Sequence, residues 1–321
     1  MELATAIFDP PVGPPLPSWS FKSCLKRYLE GPIPPHLRGL TTASLIMYLL
    51  KNSEAEAETL VTFGALWLDD RPCLNPNQVL SSYRYFRFNP PAYGPVRFYE
   101  ADPNRIIYED DELLAYNKES GRPSQGVPYD AYNNVLAAVK RLLAARGDGS
   151  SSELWLSHRL DADTSGLILM ARTRSAAGAL GRAFQERRVG KRYLALGLGR
   201  LPPEKAFRVS VPVAKDGRIY LVRPEGPGLS AVTDFTVRKW VDFPEAGEGV
   251  KKIFFLAEPH TGRTHQIRLH LAWSGWPIYG DRFYGRMEIE AALPTPRLML
   301  ASVGLTFNYP GSRRKINLSL I

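Results

Sequence analysis

The chain has 321 residues, 44% of them hydrophobic and 23% charged, which is enough apolar length to bury a core without staples and excludes a wholly disordered protein. Lys and Arg number 41 against 32 Asp and Glu, a formal net charge of +9. Nine basic and nine acidic residues fall within 1–100, so the whole excess lies in 101–321, and a phosphate-bearing partner should meet that part.

From the N-terminus, MELATAIFDPPVG carries acids where a secretory signal needs basic residues, and no apolar run approaches the roughly 20 residues that span a bilayer. The expectation is a soluble, cytoplasmic chain without membrane contact. Cys24 and Cys73 stand far apart, which speaks against a disulfide framework or a cysteine-rich metal site. Five prolines in residues 1–20 exclude regular helix and read as an arm. Leu40–Leu50 is apolar at helical spacing behind Thr41 or Thr42 as a cap, and a second helix is predicted over Ala55–Phe63. Leu66–Leu68 reads as a strand before the turn Asp69-Asp70, and a tyrosine- and proline-rich connector covers Ser81–Tyr99. Residues 21–100 thus form a small N-terminal α/β domain.

Beyond residue 100 short strands dominate. Ile106–Tyr108 and Leu113–Asn117 flank an acidic turn, and Ala131–Arg146 is an amphipathic helix with Gly147 past its end. Strands are predicted over 166–171, 191–198, 207–212, 218–223, 230–239 and 252–258, with helices near 174–186 and 264–274. Strands that mostly adjoin one another indicate an α+β domain over 101–321, with a mixed, largely antiparallel sheet flanked by helices.

The densest polar cluster is His158-Arg159-Leu160-Asp161-Ala162-Asp163-Thr164-Ser165-Gly166-Leu167, directly before an apolar strand. A carboxylate with an arginine two residues before it, on a tight turn at a strand entrance, is suited to nucleophilic chemistry; a capped turn with a surface ion pair is the plain alternative. The run resembles the central motif of the RluA-type RNA pseudouridine synthases, H-R-L-D-x-x-T-S-G-L. Four further blocks resemble the same family in the same order: Ile107–Leu114 with Asn117-Lys118, Lys191–Ala195, Gly262–Leu271 with Gly275, Pro277, Gly280-Asp281 and Tyr284, and Arg297–Leu300. The chain departs from the family pattern at Glu119, where proline is usual, and at Ala301-Ser302, where histidine and alanine are common.

The resemblance implies a catalytic domain that isomerises uridine to pseudouridine in ribosomal or transfer RNA, with neither metal nor organic cofactor. It makes Asp161 the nucleophile, Arg268 the cation that holds it charged, and Tyr193 a ring that stacks on uracil and accepts a proton. It assigns Arg159 to filling the gap left by a flipped-out nucleotide, groups His158 and Thr164 with it as RNA contacts, and makes Ile267 and Leu300 walls of the base pocket. A monomer is the default.

Two other readings compete. A non-catalytic RNA-binding protein on the same fold would have no use for a nucleophile, and a two-carboxylate glycosidase would need a partner for Asp161 beyond Asp163, a turn residue. His260, His265 and His270 recur every five residues, a spacing that puts metal ligands on neither one helix face nor one strand face. Phe63–Asp70 faintly resembles the end of an S4-like RNA-binding domain, but the neighbouring Ser53–Glu58 is acidic.

Overall fold

The computed structural model describes residues 28–89, 99–127, 130–148, 153–217, 219–286, 288, 289, 293, 295 and 297–321; the proline-rich arm, Cys24 and residues 90–98 of the connector lie outside them. The described residues form two compact units, 28–101 with 123–148, and 102–122 with 153–321.

The first unit contains β1 (Leu29–Pro32), α1 (Thr42–Leu50), α2 (Glu54–Thr62), β2 (Leu66–Leu68), β3 (Arg71–Pro72), β4 (Tyr85–Phe88) and α3 (Val135–Ala145). Its strands pair antiparallel in the order β1-β4-β2-β3. Thr41 caps α1 by accepting the Ser44 N–H, and Ser53 and Glu56 close a capping box on α2. Glu54 and Glu56 lie in the first turn of α2, where negative charge suits the helix dipole, so the acidic run has a structural cause. Leu45, Ile46, Leu60, Val61, Leu66 and Phe88 form the core. Cys73 is a free, half-buried thiol whose pKa is raised by burial.

The sequence groups 101–321 as one domain, whereas residues 123–148 belong with this first unit. Ala131 N–H donates to the Phe63 carbonyl, Tyr99 N–H donates to Asn133 Oδ1 at 2.8 Å, and the Arg141 guanidinium covers the Tyr132 ring at 3.6 Å. Amphipathic spacing defines the buried face of α3 but not what that face meets.

The second unit is built on β5 (Ile106–Glu109), β6 (Leu113–Lys118), β7 (Trp155–Leu156), β8 (Ser165–Ala171), α4 (Arg174–Gln185), β9 (Gly190–Gly199), β10 (Ala206–Ser210), β11 (Val213–Asp216), β12 (Ile219–Val222), β13 (Val232–Asp242), β14 (Lys251–Pro259), α5 (Gln266–Trp273), β15 (Leu300–Asn308) and β16 (Lys315–Ser319). The main sheet runs β10-β13-β14-β9-β15-β8-β6-β5, with β16 on β15 and β7 on β8. Of the pairs in this sheet, β8 with β15 is parallel and the others are antiparallel, which gives the mixed α+β sheet the sequence predicts. β11 and β12 form a separate hairpin.

All seven residues of β8 are buried, as expected of a continuous apolar run in the middle of a sheet. At its entrance Gly166 has φ +103°, and a Cβ there would stand 2.1 Å from the Ser302 carbonyl oxygen. Only glycine permits that approach of β8 to β15, which explains the Thr-Ser-Gly turn ahead of the strand. Among the described residues, no helix is long and apolar enough to cross a membrane.

Candidate active site at the entrance to β8

The chain just before β8 is clamped from the end of β6. Lys118, fully buried, donates from Nζ to the carbonyls of Glu119 at 2.9 Å, Arg122 at 2.8 Å and Ala162 at 2.8 Å. Gly121 N–H donates to the same Ala162 carbonyl, Ser120 Oγ–H donates to the Asp163 carbonyl, and Thr164 N–H closes the turn on the Asp161 carbonyl. Burial pulls Lys118 down to about 7 while the carboxylates of Glu119, Asp163 and Asp161 oppose it. Three carbonyl acceptors around one nitrogen call for three N–H donors, which only the ammonium form has. The departure from proline at Glu119 is accommodated here, since that carboxylate pairs with Arg105 at 3.2 Å. Ala301 and Ser302 lie in register with Ser165 and Gly166 on β15, so small residues suit that closest approach of two strands.

This frame presents Asp161 with its side chain 33% exposed, so its carboxylate is open to a ligand. Arg268 Nη1 lies 3.9 Å from Asp161 Oδ2, inside the roughly 6 Å over which an opposite charge acts strongly. The arginine is nearly sealed from solvent and is held by a bidentate pair to Asp281, 2.7 Å at each contact. Asp281 also accepts the N–H groups of Phe283 and Tyr284, so one buried carboxylate orients both the cation and the next loop. His265 enters from the same side, Nε2 standing 3.8 Å from Asp161 Oδ2.

Tyr193 lies on β9 in register with Ser302, and its ring packs on the apolar cluster containing Ile267 and Leu300, each under 10% exposed. Both belong to the buried cluster against which Tyr193 packs. Burial, then the nearby Asp161 carboxylate, pushes the Tyr193 phenol well above its ordinary range, so it is protonated at neutral pH. The sequence-based role of proton acceptor would require the phenol to lose that proton first. Arg159 is exposed and makes no ion pair with a described residue.

Two residues grouped with Arg159 make contacts within the fold. Thr164 is only 3% exposed and its N–H closes the turn on the Asp161 carbonyl. The His158 ring stacks on Phe184 of α4 at 4.8 Å, and its Nε2 accepts the Leu169 N–H at 3.1 Å. Burial, followed by the Lys191 charge, pushes His158 down to about 4, which keeps the accepting nitrogen unprotonated. Because the folded form binds fewer protons than the unfolded one between about 6.5 and 4, stability is complete above 6.5 and is lost as pH falls through that window. His158→Asn should therefore flatten the pH dependence of the unfolding free energy, read from urea melts, between pH 7 and 4.5 relative to the parent, a difference of about 2 kcal/mol. An unchanged slope would contradict the assignment.

The three regularly spaced histidines separate. His260 bonds Asp234, which also takes both arms of Arg208, and His270 is buried between the Thr233 hydroxyl and the Val211 carbonyl. Only His265 reaches the site. Among the described residues, no group of three His, Cys, Asp or Glu could hold a metal ion. In the sequence Lys118, Asp281 and Tyr284 stand out only as parts of motifs; their work lies in contacts made far along the chain.

With this geometry established, comparison with known proteins gives consistent results. The family described as RNA pseudouridylate synthase matches residues 112–273, half of the chain. Ribosomal large subunit pseudouridine synthase C of Vibrio vulnificus (strain CMCP6) is 35% identical over 219 residues, 67% of this chain and 64% of that protein. The protein of the same name from Escherichia coli (strain K12) is 34% identical over 64% of this chain and 63% of its own length. The aligned part therefore spans just under two thirds of these bacterial relatives. Among solved structures, human RNA pseudouridylate synthase domain containing 1 superposes with a TM-score of 0.54 at 27% identity, covering 67% of this chain and 82% of that one. Its human counterpart, domain containing 4, at 22% identity and a TM-score of 0.53, shares the fold. The chain belongs to the RNA pseudouridylate synthase family.

Proposed function

We propose that this protein isomerises uridines in RNA to pseudouridine, with Asp161 as the nucleophile. The observation that carries the reading is a third-exposed carboxylate facing a buried arginine at 3.9 Å, on the motif shared with the family. Asp161 bonds to the nucleoside, the N1–C1′ bond breaks, the uracil turns, and C5 joins C1′ as the carboxylate is released. C5 then loses its proton and N1 gains one, so the atoms balance without an oxidant or a cofactor. Tyr193 stacks on the base as a phenol, and the freed Asp161 carboxylate takes the C5 proton.

A uridine stacked in RNA is out of reach of Asp161, so the nucleotide is flipped out at a cost of a few kcal/mol. Arg159, exposed beside the nucleophile, fills the vacated space. Eight of the nine excess positive charges lie in 102–122 and 153–321, which supports RNA as the partner of this unit. The bacterial relatives are named for the ribosomal large subunit, and we take ribosomal RNA as the first candidate substrate here.

The C5 hydrogen is lost during the reaction, so ribosomal RNA carrying 5-tritiated uridine should release tritium to water when incubated with the protein. RNA bound without release would leave the non-catalytic reading. Arg159→Ala should slow release at saturating protein by roughly 10-fold or more while weakening RNA binding much less; equal losses would reduce Arg159 to a phosphate contact.

A further inference from the structure

His265 is an unusual residue for a helix start. It caps α5 in the left-handed conformation, φ 58°, without a side-chain cap bond. The loop before it is fixed by Gln266, whose Oε1 accepts from Thr261 Oγ and Arg263 N–H and whose Nε2 donates to the Val232 carbonyl and Thr233 Oγ1. The imidazole sits in an aromatic cage of Tyr220, Phe283 and Tyr284, with ring centroids 5.5–6.1 Å away.

The contacts of its Nδ1 partner bear on its tautomer. Tyr284 OH accepts from the Tyr220 N–H at 3.3 Å and lies 2.8 Å from His265 Nδ1. With that acceptance made from backbone, the phenol proton is free to be donated to Nδ1, which puts the ring proton on Nε2, facing Asp161 Oδ2 at 3.8 Å. Arg268 approaches that same oxygen at 3.9 Å. Both donors thus face Oδ2, at separations of the kind that shorten when substrate closes a site.

We propose that His265 is a positioning residue for the nucleophile: a neutral imidazole, its tautomer set by Tyr284, that braces Asp161 Oδ2 together with Arg268 and leaves Oδ1 to attack the nucleoside. The inference rests on the proposed isomerase reading. Besides Asp161, the charged groups facing the ring are Arg268, Asp281 and Asp163; burial and then the Arg268 charge hold His265 below its usual pKa, so it stays neutral at pH 7.

The test is single-turnover tritium release across pH 5–9 for the full chain and four variants. His265→Phe keeps a ring in the cage and removes both nitrogens; the rate should fall about 10- to 100-fold, and its acid-side fall-off should move to higher pH because a donor to the carboxylate is lost. Tyr284→Phe should lower the rate less in the parent and not at all in the His265→Phe background. Parent rate and pH profile in His265→Phe, or equal losses from Tyr284→Phe in both backgrounds, would overturn the proposal. Should the left-handed backbone prevent His265→Phe from folding, as judged by its thermal melt, Tyr284→Phe alone decides: an unchanged rate and pH profile sinks the relay. His265→Asn, compatible with that backbone, removes the ring and should be as slow as His265→Phe. Absence of release by the parent protein would instead count against the isomerase reading itself.

Discussion

Asp161→Asn is expected to reduce tritium release by at least about 10⁴-fold while RNA retention stays within a few-fold of the parent. The amide keeps the size of the side chain but carries no charge and is a poor nucleophile, so the covalent step loses its reagent. The turn should survive, because its contacts are made by the backbone: the carbonyls of Asp161, Ala162 and Asp163 accept from Thr164, Lys118, Gly121 and Ser120. A melting temperature close to that of the parent would show that the lost rate is chemical. Substantial residual release would exclude Asp161 as the nucleophile.

The second large effect is expected at Arg268. Arg268→Met removes the cation beside Asp161 and also leaves the Asp281 carboxylate, whose side chain is fully buried, with only the Phe283 and Tyr284 N–H groups among the described residues. Breaking a buried pair from one side costs about 3–5 kcal/mol, so the melting temperature should drop by roughly 10 °C, together with a loss of activity. The double variant Arg268→Met/Asp281→Leu should recover part of that stability, since an uncharged pair carries no stranded charge, while activity stays lost. Recovery of both would make the arginine a structural residue alone.

The local elements were legible because their signals are local. α1 with its Thr41 cap, α2, β8 and α4 follow from periodicity and capping residues, and the β5–β6 hairpin from its acidic turn. The central motif was legible because its residues are contiguous. What the chain cannot announce is which side of the sheet a motif residue faces. His158 and Thr164 adjoin Arg159 and Asp161 in sequence, yet one ring turns onto Phe184 and the other side chain is buried in the turn. The parts that hold the nucleophile, Lys118, Asp281, His265 and Tyr284, act across separations no periodicity reports. The partner of α3 was likewise hidden, as was β15, whose pairing with β8 depends on Gly166 meeting Ser302.

Asp161 and the residues around it are proposed to isomerise uridines in RNA. The most direct test of this function is chemical mapping of pseudouridine in bulk RNA from cells lacking the gene, before and after incubation with the purified protein. New pseudouridine is expected at discrete uridines with the parent and none with Asp161→Asn. Tightly bound RNA that gains no pseudouridine at any position would contradict that function.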